Sequence, residues 1–507
     1  MRTTLNPVTA PAATRADRPT IRLHRLRRRS TLTTTLVAAA LGIVSLAARS
    51  HAAEQPLRVD ERGRGLLAAD GAPFFYLADT AWELLHRADR DETIRYLDDR
   101  AAKGFTVIQT VALAELDGLR TPNAAGHVPL VELDPARPLT VDGPANDYWD
   151  HVDFAIDAAN RRGLTVALLP TWGDKWNLKW GVGPVVFTPD NARAFGLWLG
   201  ARYRDADVIW VLGGDRPIES DEQRAIVVAM AEGVEAGDGG RRLKTFHPSG
   251  GYGSSDFFIN ADWIDLRFRQ NGHEVRYEER FAGTLRDYQL EPSKPIVDGE
   301  PLYEGHPIGF NAARNGYSTA ADVRRPLYWN LLSGACGHAY GHHSVWQMWR
   351  PGRDPVNGPL MPWEQALDAP GAGQMQHGRT LMRLLAGWGL VPDESLLKPL
   401  PWAPDDSPIA ARGAGRYRVL AARDAGGAGV VAYLPVGRPI RLDLSDLGAV
   451  GYAAWFNPRT GELTPIDAVD PSNDGVFDTP DTGELLDWVL IVAAEPLDAA
   501  SRRARSP

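Results

Sequence analysis

Between residues 74 and 346, short apolar runs alternate with longer stretches in which apolar residues recur every three or four positions. Near-continuous apolar runs suit strands covered on both faces, and the longer stretches suit the helices that cover them. The pattern predicts eight strands: 74–78, 106–111, 165–169, 208–212, 244–246, 266–268, 295–297 and 338–340. Helices are expected over 91–102, 148–162, 191–203 and 221–235. In the first of these, Ile94, Leu97 and Ala101 form one stripe and Lys103-Gly104 ends it. A strand–helix repeat run through eight times closes most simply as a (β/α)8 TIM barrel. An open doubly wound sheet is the competing architecture. No Gly-x-Gly-x-x-Gly follows the first strand, which counts against it.

A helix over 372–385 ends this region, so the barrel domain is read as 54–386. Residues 387–415, rich in Pro and short polar residues, read as a linker. From 416 to 497 the rhythm changes to short alternating strands at 430–433, 440–444, 452–456 and 488–492. Turns such as Asn457-Pro458-Arg459-Thr460-Gly461 separate them, giving a small C-terminal β-sandwich. Residues 498–507 read as a disordered tail.

The first 53 residues read as a signal peptide and export segment rather than fold. Arg25-Leu26-Arg27-Arg28-Arg29 precedes an apolar run over 32–48, and Ser50-His51-Ala52 is a small-x-small cleavage pattern. The consecutive arginines fit the twin-arginine route. The competing reading is an uncleaved anchor, against which the run is short for a membrane span. The expected location is secreted or periplasmic, with no stable membrane association after the signal is removed.

Composition narrows the function classes. The 507 residues exceed one compact domain and suit a barrel with a small partner. A net charge of −9 argues against nucleic acid as a partner. Cys336 is the single cysteine, so no intrachain disulfide forms. Its Gly-Ala-Cys-Gly setting reads as a buried small residue. The 16 tryptophans suit either a large core or a cleft that stacks sugar rings.

In such a barrel, chemistry sits where strands end. Strand one leads to Asp79 and Trp82, strand two to Glu115 and Asp117, and strand three to Trp172, Asp174 and Lys175. Strand four ends in Gly213-Gly214-Asp215, strand five in His247, and strand six in Gln270 and His273. Strand seven ends in Asp298-Gly299-Glu300, and strand eight leads to His342, His343 and Trp346. Glycoside hydrolysis needs two carboxyl groups flanking a sugar: one protonates the leaving oxygen, the other attacks or activates water. Asp215 and Glu300 fit that pairing, with a helix cap or an ion pair to Arg216 as the structural alternative for Asp215, and an ion pair for Glu300. Asp298 rivals Glu300; strand alternation would put both on one face, with only the more C-terminal at the rim. The neighbouring glycines are expected to admit substrate close to the backbone. Asp79, Trp82, Glu115, Asp117, Trp172, Asp174, Lys175, His247, Gln270, His342, His343 and Trp346 are expected as substrate contacts, with core packing as the alternative for each. No His-Glu-x-x-His or cysteine pair is present, so neither a catalytic metal nor another cofactor is expected.

Several motifs carry a family resemblance. They are Phe75-Tyr76-Leu77-Ala78-Asp79-Thr80-Ala81-Trp82, Ala114-Glu115-Leu116-Asp117-Gly118-Leu119-Arg120, Leu169-Pro170-Thr171-Trp172-Gly173-Asp174-Lys175, Leu212-Gly213-Gly214-Asp215, His247-Pro248-Ser249-Gly250, Asp298-Gly299-Glu300-Pro301 and Tyr340-Gly341-His342-His343-Ser344-Val345-Trp346-Gln347. Together they span about 57 to 495, and the chain resembles the apiosidase-like glycoside hydrolases of family 140. Trp455-Phe456-Asn457-Pro458-Arg459-Thr460-Gly461-Glu462 resembles that family's collagen-binding-type β-domain. The resemblance implies a barrel with Asp215 as acid/base and Glu300 as nucleophile, acting on pectic side chains of plant cell walls at apiosyl linkages. The wider clan of retaining barrel glycosidases places Asn-Glu where this chain has Gly214-Asp215. Retention is expected, which calls for carboxyl groups roughly 5–5.5 Å apart rather than about 6.5–9.5 Å. The alternatives are a carbohydrate-binding protein that has lost catalysis and an adhesion role for the β-domain.

Overall fold

The computed structural model describes residues 57–276, 280–386, 389–403, 405, 408–447, 450–466 and 475–497. The expected export segment and C-terminal tail lie outside them.

Eight parallel strands form the central sheet: β1 Tyr76–Thr80, β2 Val107–Leu113, β3 Thr165–Thr171, β4 Val208–Gly213, β5 Lys244–His247, β6 Arg267–Arg269, β7 Ile296–Asp298 and β8 Gly337–Gly341. Their order is β5-β4-β3-β2-β1-β8-β7-β6. The ladder is interrupted only between β5 and β6. There Asp265 N–H donates to Lys244 O (2.9 Å) and Thr245 Oγ1 donates to Leu266 O (2.6 Å), so the sheet closes as a barrel.

Alternation along each strand divides the core in two. Tyr76, Ala78, Val107, Val111, Ala167, Leu169, Ile209, Val211, Phe268, Val297 and Ala339 fill the interior. Leu77, Ile108, Val166, Leu168, Trp210 and Leu212 face the helices. Those helices are α1 Arg90–Ala102, α2 Tyr148–Asn160, α3 Pro189–Arg202, α4 Asp221–Asp238, α5 Ser254–Phe258, α6 Ala282–Tyr288, α7 Ala320–Leu332 and α8 Pro370–Leu384. Capping boxes at Asp89, Asp147 and Thr188 start α1, α2 and α3.

Two boundaries differ from expectation. The first strand runs two residues later than expected, because Pro73–Phe74 joins a separate antiparallel sheet with Arg58–Val59 and Leu66–Leu67. The segment read as a linker contributes strands β9 Leu390–Pro392 and β10 Leu397–Lys398 to the C-terminal sheets. These sheets also contain β11 Leu420–Asp424, β12 Gly429–Leu434, β13 Ile440–Leu442, β14 Tyr452–Phe456, β15 Leu463–Pro465, β16 Val476–Phe477 and β17 Trp488–Ala493. They pair as β9-β11-β12-β17-β14-β15 and β10-β13-β16, antiparallel where strands meet. The β-domain packs on α7. Buried Arg324 forms a bidentate pair with Asp487 (2.8 and 2.7 Å), and Trp329 Nε1–H donates to Arg418 O (2.9 Å).

Candidate active site

Loops leaving the C-terminal ends of the strands enclose a cleft of about 840 Å³, a size suited to a small-molecule or saccharide site. Five carboxyl groups line it: Glu219 and Glu274 toward its mouth and, at strand ends, Asp215 after β4, Glu300 after β7 and Glu115 after β2.

Asp215 sits on a strained turn. Gly213, Gly214 and Asp215 all take positive φ, at 98°, 111° and 51°. The glycines serve backbone packing, not the expected approach of substrate. A Cβ on Gly213 would lie 2.6 Å from His247 O, and one on Gly214 would lie 2.8 Å from Gly173 N. The turn therefore nests against β3 and β5 and aims the Asp215 carboxyl at the cleft. Its Oδ1 accepts from Gln270 Nε2 (2.9 Å). Its Oδ2 accepts from Trp180 Nε1 (2.8 Å) and Arg216 Nη1 (3.1 Å). Burial and the neighbouring Glu300 charge raise its pKa, outweighing Arg216, Trp180 and His247.

Glu300 is driven the other way. His273 Nε2 lies 3.0 Å from Oε1, and His247 Nε2 lies 2.8 Å from Oε2, the latter off the ideal hydrogen-bond direction. Burial would raise the pKa, but the two imidazoles overcome it and hold the carboxyl down at about 2. Asp215 N–H approaches His247 Nδ1 at 3.1 Å, so one imidazole touches both the Asp215 backbone and the Glu300 carboxylate. Gly299 leaves room for the Phe268 ring, which a Cβ would meet at 1.8 Å.

Glu115 is the third group. Burial pushes it up to about 8, despite Arg216 and helped by Asp174, Asp215 and Glu83. The nearest guanidinium nitrogen of Arg216 is 3.9 Å away.

The other expected contacts divide sharply. Trp82, Trp172, Gln270 and Trp346 line the cleft, Gln270 by holding Asp215. Trp82 and Trp172 are 5.2 Å apart and both pack on His247, so they form its floor rather than open platforms. His247 is fully buried beneath Glu300 and acts through that carboxylate rather than by touching substrate.

Asp79 does not reach the cleft. It faces outward from β1 and is fully buried, bonded to Arg100 Nε (2.8 Å) and Tyr96 Oη (2.6 Å) of α1. Asp174 and Lys175 are also buried, paired with each other at 2.6 Å. Asp174 Oδ2 accepts from Val182 N (3.1 Å) and Gly183 N (2.7 Å), pinning the following loop. Asp117, at φ 58°, turns back to Arg120 (3.0 Å) and Thr121 (3.1 Å). His342 caps a short helix through Ser344 N (3.1 Å), and His343 bonds Val356 O (3.0 Å). Neither histidine is among the cleft-lining residues. Asp298 points out of the barrel to Asn271 and Asn330, and burial raises it to about 6. It therefore does not share a face with Glu300, because strand alternation stops at Asp298.

The sequence reading left out several lining residues. Trp180, Tyr252 and Phe310 stand at the rim with about half or more of their surface exposed. Tyr303 accepts from Trp82 Nε1 (3.1 Å), and His306 stacks on His273 at 4.4 Å. Four lie in loops and Phe310 ends a single 3-10 turn, Ile308–Phe310, so no periodicity marks them. His273 had been placed at a strand end and had not been given a role.

A profile of apiosidase-like catalytic domains matches residues 60–388. One described as "Putative collagen-binding domain of a collagenase" matches residues 403–493. Among solved structures, one described as a glycoside hydrolase is 30% identical with a TM-score of 0.75. The match covers 88% of this chain and 98% of that one. A crystal structure described as a glycoside hydrolase family 5 protein from Bacteroides vulgatus ATCC 8482 is 29% identical, also with a TM-score of 0.75. That match covers 88% of this chain and 97% of that one. Comparison with curated protein sequences gives no match.

Proposed function

The chain belongs to the apiosidase-like glycoside hydrolases, and on that premise we propose that Asp215 and Glu300 are its acid/base and nucleophile. The reading rests on one observation: Asp215 and Glu300 line the same cleft, and their surroundings push their pKa values in opposite directions. Such a divergence assigns acid and base roles. Asp215, its pKa raised, gives its proton to the glycosidic oxygen as the C–O bond breaks and that oxygen takes the bonding electron pair. Glu300, held ionised, attacks the anomeric carbon from the other side. Water, deprotonated by the Asp215 carboxylate, then releases the sugar with retained configuration.

The proposed substrates are side chains of plant cell-wall pectin, at apiosyl linkages, a reading supported by family membership. The proposed site of action is outside the cytoplasm, supported by the arginine-rich, apolar and small-x-small order of the first 53 residues.

Asp215→Asn and Glu300→Gln each remove one role while keeping the shape of the side chain. Each is expected to lower kcat on apiosyl-containing pectic oligosaccharides by about a hundredfold or more, with unchanged circular dichroism. Product masses identify the sugar released, and proton NMR of the first product formed reads its anomeric configuration. Two well-folded variants with turnover within a few-fold of wild type would remove these residues from the chemistry.

A further inference from the structure

Trp180 occupies an unusual position. Its indole is 60% exposed, yet its Nε1–H donates to Asp215 Oδ2 at 2.8 Å. One ring face lies over the Arg216 guanidinium, whose central carbon is 4.8 Å from the ring centre. Lys179 Nζ also lies near the ring, 5.7 Å from its centre, yet most of the residue stays exposed and lines the cleft. An exposed tryptophan on a surface loop is ordinarily free to swing; this one is restrained. The buried Asp174 carboxylate holds the loop through Val182 N and Gly183 N, and Lys175 O accepts from Val186 N (2.9 Å) and Phe187 N (3.2 Å). Lys179, the preceding residue, is tied to Glu219. The sequence thus spends two buried charges, Asp174 and Lys175, on fixing a solvent-facing aromatic ring.

A proton donor marks the leaving-group side of a glycosidic bond, because the oxygen it protonates departs with that group. An exposed indole bonded to the donor therefore lies where the departing sugar must rest, and the C–H face of a sugar stacks well on such a ring. We infer that Trp180 forms the subsite for the leaving sugar and also positions Asp215, so that one indole joins recognition of the departing saccharide to proton delivery. The ligand class is a further sugar residue attached through the oxygen being cleaved. The inference rests on the assignment of Asp215 as the proton donor.

The charged and titratable groups facing Asp215 are Arg216 beside it, Glu300 after β7, His247 of β5 and, from after β2, Glu115. None of these is altered by changing Trp180. The indole N–H favours the carboxylate form of Asp215, so its loss moves the Asp215 pKa up. The activity needs Asp215 protonated, so the alkaline limb of kcat/KM moves to higher pH in the variant.

Two variants separate the two roles. In Trp180→Phe the ring stays and the N–H goes. KM for an apiosyl-containing pectic oligosaccharide should stay within about twofold, kcat should fall about tenfold, and the alkaline limb should rise by about half a pH unit or more. With 4-nitrophenyl apioside, whose leaving group needs no proton, kcat should change little. Trp180→Ala should add a rise of about threefold to tenfold in KM for the oligosaccharide. A readout independent of turnover is the Trp180 Nε1–H resonance, assigned by its loss in Trp180→Phe. It should move with pH in the wild type and stop moving in Asp215→Asn. An unchanged oligosaccharide KM in Trp180→Ala, an unmoved alkaline limb, or a resonance blind to pH in active enzyme would each overturn the inference and leave the hydrolase reading standing. Loss of the hydrolase reading itself would show instead as full activity in Asp215→Asn and Glu300→Gln.

Discussion

Replacing His273 with Phe isolates what holds the Glu300 carboxylate ionised. Phe keeps a ring where His273 packs on Tyr303 and His306, both 4.4 Å away between ring centres, and deletes the Nε2 contact to Glu300 Oε1 at 3.0 Å. Glu300 is held at about 2 against an ordinary 4.5, a gap worth roughly 3 kcal/mol at 1.36 kcal/mol per pH unit. Two imidazoles produce it against the cost of burial, so each accounts for about 1.5 kcal/mol or somewhat more, within the range for a hydrogen bond to a charged group. Losing one should raise the Glu300 pKa by about one pH unit. The acidic limb of kcat/KM, which reports the free nucleophile, should move up by that amount. His273→Gln, which can restore an N–H donor, should move it less. Stability follows the same sign. A carboxyl whose folded pKa is depressed stabilises fully above its unfolded value near 4.5, and that contribution fades as pH falls toward 2. His273→Phe should therefore cost about 1–2 kcal/mol at pH 7 in urea unfolding and progressively less under acid. An acidic limb that stays within about 0.3 pH units of wild type, in protein shown folded by its fluorescence, would refute the idea that His273 ionises Glu300.

Glu115 gives the opposite dependence. Burial raises it to about 8, so the folded chain keeps a proton that the unfolded chain releases above 4.5, and stability falls as pH rises through that interval. Glu115→Gln should be increasingly stable relative to wild type between about pH 5 and 8 by urea unfolding; a constant difference would contradict the burial argument. At the domain contact, Asp487→Asn takes the charge from a bidentate pair and leaves the buried Arg324 guanidinium with neutral acceptors only, Gln374 Oε1 among them, which should cost about 3 kcal/mol. The double change Arg324→Met with Asp487→Leu should recover most of that loss. A single variant as stable as wild type would mean the pair contributes nothing.

The barrel was legible because covered strands announce themselves. Runs such as Val208-Ile209-Trp210-Val211-Leu212, short and rich in β-branched residues, suit a strand covered on both faces. The site was harder to read, for reasons that lie in single residues. The expected first strand stopped at residue 78, so Asp79 was placed in a rim loop. The real strand continues to Thr80, and alternation then turns Asp79 outward, opposite to Tyr76 and Ala78, onto Arg100. Asp298 shows the same geometry at the end of β7: it is the last alternating residue and faces out. Glu300 lies two residues further along, where Gly299 has ended the strand and the chain turns over Phe268 into the cleft. Charge beside a strand end reads as function, which makes Asp174 and Lys175 expected sugar contacts. Being fully buried and paired, they support a loop instead, and the side chain they present to solvent is Trp180. Trp180, Tyr252 and Phe310 follow no period of two or of 3.6, because each sits in a loop or a single 3-10 turn where only tertiary structure decides which way a ring faces. That Asp215 and Glu300 meet at one cleft could be read from strand order, because strand ends of a barrel share one face. The aromatic rim could not, because nothing in the spacing of loop aromatics distinguishes an exposed ring such as Trp180 from a buried one such as Trp82.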